Sequence, residues 1–187
     1  MVYGAGGTGK TRILEECCSS LIKNDYKIFN FTGFDTNNSW KDVIREITFE
    51  LFEIAKDICF EVMCNIKQKV ASYIDDPIKR EIYEFLYMLS DNNLSSEKLE
   101  NNYRIIYKKL QQQKSAIIID NLQSYDPHIL HFFTKMIQFY SSCRLQNPLA
   151  LLFSINTSLV FDNKYLDFIA DFEILNQDTL KTCFISK

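Results

Sequence analysis

Two apolar patterns alternate along the chain. From Thr11 to about Asn24, Ile13, Leu14, Cys17, Leu21 and Ile22 share one face at helical spacing. Lys27–Phe31 (KIFNF) then reads as a short strand, closed by a Thr32-Gly33 turn. Ser39 stands where a helix cap belongs. It is followed by Trp40, Val43, Ile44, Ile47, Leu51, Phe52 and Ile54, which predict a helix through Ala55 or beyond. Residues 56–112 keep helical patterning, with Ile58, Val62, Ile66 and Val70 and then Ile82, Phe85 and Leu86. The pattern breaks near Asp75-Asp76-Pro77 and again in the polar stretch Ser90–Ser96, and a last helix of this region runs to about Gln112. Ala116–Asp120 (AIIID) and Leu149–Ile155 (LALLFSI) have the continuous apolar character of buried parallel strands. Pro127–Ser142 between them is helical, Met1–Tyr3 is the stub of a strand, and Asp171–Leu175 (DFEIL) predicts another. Strands alternating with helices predict an α/β fold, a parallel β-sheet flanked by helices. The whole of 1–187 reads as one domain, with 56–112 as a helical insertion.

Composition excludes several classes. With 47% hydrophobic and 24% charged residues, 5 Gly and 3 Pro in 187, the chain is neither collagen-like nor disordered. No apolar run is long enough to predict a membrane span, and no signal peptide is visible. A net charge of −3 supplies no basic field for nucleic acid. The 6 cysteines form no C-x-x-C pair and fit neither a zinc site nor a disulfide scaffold, which points to a reducing, cytoplasmic setting. His128 and His131 lie three residues apart on a helix but lack the further ligands of a metal site.

One segment carries sharper chemistry. Gly4-Ala-Gly-Gly-Thr-Gly9-Lys10-Thr11 fits the phosphate-loop (Walker A) pattern G-x-x-x-x-G-K-[ST] at every fixed position. Gly4, Gly6, Gly7 and Gly9, with Thr8, let the backbone wrap a phosphate with its N–H groups turned inward. Lys10 places a point charge on the β- and γ-phosphates, and Thr11 offers a hydroxyl to Mg²⁺. The helix that begins here, with Arg12 in its first turn, adds the positive end of its dipole. The partner element is a hydrophobic strand ending in an acid (Walker B). Ile117-Ile118-Ile119-Asp120 supplies it, with Asp120 holding the metal through water. Asn121 follows, where many ATPases carry an acid that polarises the attacking water, and an amide cannot act as a base. Gln123 is the candidate for orienting water. Asn156, expected at the carboxyl end of a strand beside the loop, is a candidate contact for the γ-phosphate or an ordinary turn asparagine.

These pieces resemble the P-loop NTPases of the STAND and AAA-like group. The start G-K-T-R-I-L-E-E is similar to their G-K-[ST]-R-L-L-x-E, and Ile117–Asp126 (IIIDNLQSYD) is similar to their h-h-h-D-[DE]-x-Q-x-x-D, with Asn121 in place of the acid. Within that group the chain most resembles the NTPase region of soluble (type 10) adenylate cyclase relatives. There too a long helical stretch separates the two motifs. The resemblance implies Mg²⁺ with ATP as cofactors, with GTP as the alternative, since no N-K-x-D-type guanine-reading motif is present and the base is not readable from the sequence. It implies catalytic roles for Lys10, Asp120, Gln123 and Asn156, and other domains of a larger signalling protein, or self-association, as partners. Cyclase activity is not carried over, because the chain has no cyclase domain. A first strand of only three residues and the absence of the helical lid after DFEIL lead us to expect a fragment with weakened folding and nucleotide affinity. The missing acid implies slow hydrolysis, or a nucleotide-bound switch or scaffold without turnover. A small nucleoside or nucleotide kinase is the other enzyme class of suitable size. It would need clustered arginines, whereas Arg12, Arg45, Arg80, Arg104 and Arg144 are scattered.

Overall fold

The computed structural model describes residues 1–31, 39–54, 76–90, 96–142 and 147–156, together with positions 158, 165 and 168. The expected strand at Asp171–Leu175 and the first part of the 56–112 insertion lie outside the described residues. The described elements are β1 (Val2–Gly4), α1 (Lys10–Lys23), β2 (Lys27–Phe31), α2 (Trp40–Leu51), α3 (Pro77–Ser90), α4 (Ser96–Leu110), β3 (Ser115–Ile119), a 3-10 turn (Leu122–Ser124), α5 (His128–Ser142) and β4 (Leu149–Asn156). The four strands form one sheet in the order β1-β4-β3-β2. Every pairing is parallel, with Gly4 beside Asn156, Ile119 beside Phe153 and Phe31 beside Ile119. The α/β fold class expected from the alternation of elements is the one observed.

The sheet divides the core into two layers, as the two-residue period of a strand requires. Val2, Leu14 and Ile118 are buried together on one side, with Ile13, Ile28 and Leu152 packed against them beneath α1. The opposite face of the same strands contributes Phe29, Phe31, Ile117, Ile119, Phe153 and Ile155 to a much larger cluster. Helices α2, α3, α4 and α5 close over that cluster. Aromatics fill much of it. Phe133 of α5 meets Phe153 of β4 edge to face at 4.8 Å, and Phe153 meets Phe168 at 6.0 Å. Two of the buried tyrosines find carbonyl acceptors. Tyr107 donates to Phe132 O at 2.7 Å, and Tyr140 donates to Tyr107 O at 2.9 Å.

Local signals set the helix ends. Ser39 and Asp42 form a reciprocal capping box at the start of α2. Asp76 Oδ1 accepts from the N–H groups of Ile78 and Lys79, so the Asp76-Pro77 break is the start of α3. Helix α2 stops at Leu51, short of the expected Ala55. Glu53 adopts φ 53 and the Ile54 N–H turns back to Phe49 O at 2.9 Å, the geometry of a Schellman cap. That turn buries Phe52 and Ile54 in the core, which a continuing helix would not do for both. Among the described residues, no helix is long and apolar enough to cross a membrane.

The central strands carry the largest packing load. Phe153→Ala is expected to lower unfolding free energy by about 3–5 kcal/mol, because the residue is fully buried between two other rings. Urea unfolding should show a lower midpoint at unchanged slope. Ile22→Ser, at a position 58% exposed, should stay within about 0.5 kcal/mol. A Phe153→Ala loss near that of Ile22→Ser would contradict the packing described.

Candidate functional site

Parallel strands deliver their carboxyl ends to one edge of a sheet, and ligand clefts in open α/β sheets form there. Here that edge gathers the loop after β1, the turn after β3 and the end of β4. A cleft of about 530 Å³ opens between them. It is lined by residues 6–12 with Glu15, Asn121 and Asn156. Its size suits a small organic ligand.

The glycine-rich loop forms one wall. Gly7 and Gly9 have φ of 75° and 78°, in the left-handed region that glycine enters without steric cost. A Cβ on either would meet nothing within 4 Å, so backbone conformation, not space, calls for glycine there. Thr8 Oγ1 donates to Ala5 O at 3.0 Å and tightens the loop. Gly9 ends it and opens α1, and no side chain among the described residues caps that helix. Its first N–H groups therefore face the cleft with the positive end of the helix dipole behind them.

Lys10 is buried, and its ammonium is held inside the loop. It donates to Gly4 O at 3.0 Å, Ala5 O at 2.6 Å and Thr8 Oγ1 at 3.4 Å. These three acceptors match the three donors of an ammonium. All are neutral, so an anionic oxygen in the cleft would form the stronger bond. Arg12 also lines the cleft. Its side chain is 82% exposed and pairs with Glu16 at 3.2 Å, an exposed contact that constrains it little.

Thr11 and Asp120 meet behind the loop. Thr11 Oγ1 donates to Asp120 Oδ2 at 2.6 Å across 109 residues of sequence. The other carboxylate oxygen, Oδ1, accepts from the Ser154 hydroxyl and from the Asn121 N–H. Asp120 is thus fixed at both oxygens and is bonded to Thr11 and followed by Asn121, both of which line the cleft. The aspartate also acts on Tyr125. Burial, and then the Asp120 charge, push that phenol up to about 12, so it stays neutral and donates to Phe31 O at 3.2 Å.

The remaining expected residues separate. Gly4 ends β1 at the base of the loop and pairs with Asn156. Asn156 lines the cleft, with its Nδ2 3.6 Å from where a Cβ on Gly6 would stand. Gln123 lies behind the lining, and its Oε1 accepts the Asn156 N–H at 3.0 Å. Asn121 adopts φ 53, a left-handed conformation that asparagine tolerates better than most residues, and lines the cleft. Ser154 and Glu15 were missed by sequence reasoning. The signal for Ser154 was a lone hydroxyl inside the apolar run LALLFSI. Glu15 stands one helical turn beyond Thr11, so its signal was the helical spacing alone.

The chain matches no protein-family model, no curated protein and no solved structure with which it was compared.

The Ser154 hydroxyl ties β4 to both Asp120 and the Asn121 N–H. Ser154→Ala should therefore cost about 1–2 kcal/mol of stability, read by chemical denaturation. A change below about 0.5 kcal/mol would mean that the hydroxyl does not hold the carboxylate.

Proposed function

We propose that this chain is a Mg²⁺-dependent ATP-binding module of the P-loop NTPase kind, in which hydrolysis is slow or serves regulation. The observation that carries the reading is the approach of Thr11 Oγ1 to Asp120 Oδ2 at 2.6 Å, directly behind a glycine-rich loop that ends in Lys10. A motif match requires only spacing. Convergence of a hydroxyl and a carboxylate from elements 109 residues apart is an independent requirement of the same chemistry.

The donor set suits Mg²⁺. Thr11 would offer its hydroxyl oxygen to the ion and Asp120 would hold it through water, both hard oxygen donors of the kind Mg²⁺ takes. Bound there, the ion would neutralise charge on the β- and γ-phosphates. The chain's own residues do the rest. The loop N–H groups and the start of α1 accept the phosphates, and the glycines let the backbone approach closely. Lys10 exchanges its neutral loop acceptors for phosphate oxygens. Ser154 and the Asn121 N–H hold Asp120 so that one oxygen stays beside Thr11.

Asn121 favours a switch over an efficient hydrolase. It stands in the cleft next to the metal-holding aspartate, where a base would deprotonate or polarise water, and its amide has no basic site. The kinase alternative draws less support. Among the described residues, Arg12 is the one arginine lining the cleft, while Arg45 pairs with Asp42 on α2 at 2.5 Å. Transfer of a phosphoryl group to a second substrate relies on more cationic groups than that.

Calorimetric titration with Mg²⁺ and ATP tests the reading. Lys10→Ala should weaken ATP binding on the order of 10- to 100-fold, the loss of charge-assisted bonds to phosphate. Phosphate release by the wild type should stay below about 1 s⁻¹. Equal ATP affinity in the wild type and Lys10→Ala would refute the assignment of the loop. Asn121→Asp keeps the side-chain shape, tolerates the left-handed backbone and restores a carboxylate. Phosphate release should then rise on the order of a hundredfold, and an unchanged rate would show that the missing acid is not what limits turnover.

A further inference from the structure

We propose that Gln123 is a positioning residue that makes the cleft prefer a nucleoside triphosphate over the diphosphate, by orienting the side-chain amides of Asn121 and Asn156 as donors toward the γ-phosphate. This rests on the ATP-binding reading above. The sequence suggested a different task for Gln123, orienting water. Its surroundings argue against that task. Gln123 Oε1 accepts the Asn156 N–H at 3.0 Å, and its Nε2 donates to Asn121 Oδ1 at 3.4 Å. Both polar ends of the side chain are engaged with the two asparagines, and Gln123 itself is not among the residues lining the cleft.

The two asparagines are left with matching polarity. An amide carries one acceptor oxygen and one donor nitrogen. Asn121 Oδ1 is taken by Gln123. Asn156 Oδ1 accepts the Ser158 N–H at 3.2 Å. Each asparagine therefore keeps its NH₂ group for the cleft that both line. Asn156 Nδ2 already stands over the loop, nearest to Gly6. Among the described residues no acceptor engages either NH₂ group, and such donors suit an anionic oxygen. Asn121 directly follows Asp120, the residue that would hold the metal, and a metal there would neutralise the terminal phosphates, so the donors are assigned to the γ end. The diphosphate has no oxygen there. Lys10, Thr11 and the loop serve both nucleotides, and the asparagines serve one.

The arrangement is also cross-braced. Ser154 holds the Asn121 N–H at 2.9 Å while Gln123 holds the Asn156 N–H, so the end of β4 and the turn after β3 are stapled at two points two residues apart. Removal of Gln123 leaves the first staple and frees the second.

The test compares ATP and ADP affinity, each with Mg²⁺, in the wild type, Gln123→Met, Asn156→Ala and the double variant. Methionine preserves length and removes both polar ends. Gln123→Met should lower ATP affinity on the order of tenfold with ADP affinity unchanged. Asn156→Ala should do the same, and the double variant should be no worse than the weaker single variant, because both remove one device. Amide exchange at Asn156 should be faster in Gln123→Met without nucleotide. Parallel weakening of ATP and ADP would reduce Gln123 to a structural role and overturn the proposal. Slower phosphate release with an unchanged ATP-to-ADP preference would mean that Gln123 acts on water and would overturn it too. If Gln123→Met does not fold, Asn156→Ala decides, since an unchanged preference in that variant also overturns the proposal. A folded wild type that binds neither nucleotide would overturn the ATP reading itself, and so differs from a wild type that binds ATP with a preference Gln123 does not influence.

Discussion

One hydrogen bond, from the Thr11 hydroxyl to the Asp120 carboxylate, joins the two halves of the candidate site. It exists only because β1, β4 and β3 run parallel and in register, so that Gly4 ends beside Asn156 and Ile119 ends beside Phe153. A slip of one residue in β3 would reverse the faces of its side chains. Ile117 and Ile119 would leave the large aromatic cluster, and Asp120 would lose its place behind the loop. A slip one way would put Asp120 in the fully buried place of Ile119, and the other way Ala116 in that of Ile117, so the ends of the run oppose it. Burial along the strand thereby fixes the position of the charged group at its end.

Around this junction the site holds polar groups that are already satisfied. Lys10 bonds three loop oxygens, and Asp120 bonds three donors. Satisfied groups cost little to keep partly buried, and they keep their geometry before a ligand arrives. The left-handed backbone of Asn121 belongs to the same design. It turns the chain from β3 into the 3-10 turn and brings its own N–H back to both Asp120 and Ser154. Asparagine suits that conformation, while a glutamate there would carry the usual penalty for a longer side chain, about 1–2 kcal/mol. The turn thus accommodates asparagine at this position well.

Much of this was legible in the sequence. The α/β class followed from alternating periodicities, and the strands at Lys27–Phe31, Ala116–Asp120 and Leu149–Ile155 lie within a residue of those observed. The glycine-rich loop was legible because its pattern resides in residues 4–11 alone. The contacts of Ser154 and Gln123 were not, because each depends on which residue of β4 faces the turn after β3, and register is a property of the sheet as a whole. The end of α2 was also hidden. Phe52 and Ile54 extend the helical pattern of that segment, yet the chain leaves the helix at Leu51 to bury both. Tertiary burial overrode a local preference that periodicity alone could not weigh.

The central claim is that Thr11 and Asp120 act as one oxygen pair toward a metal-bound triphosphate. A double-mutant cycle with Thr11→Val and Asp120→Asn measures this directly, with ATP affinity determined in the presence and absence of Mg²⁺. Each single variant should lose most of the Mg²⁺-dependent gain in affinity, and the double variant should lose little more, since residues sharing one ligand are coupled. Additive losses, or an ATP affinity indifferent to Mg²⁺ in the wild type, would contradict it.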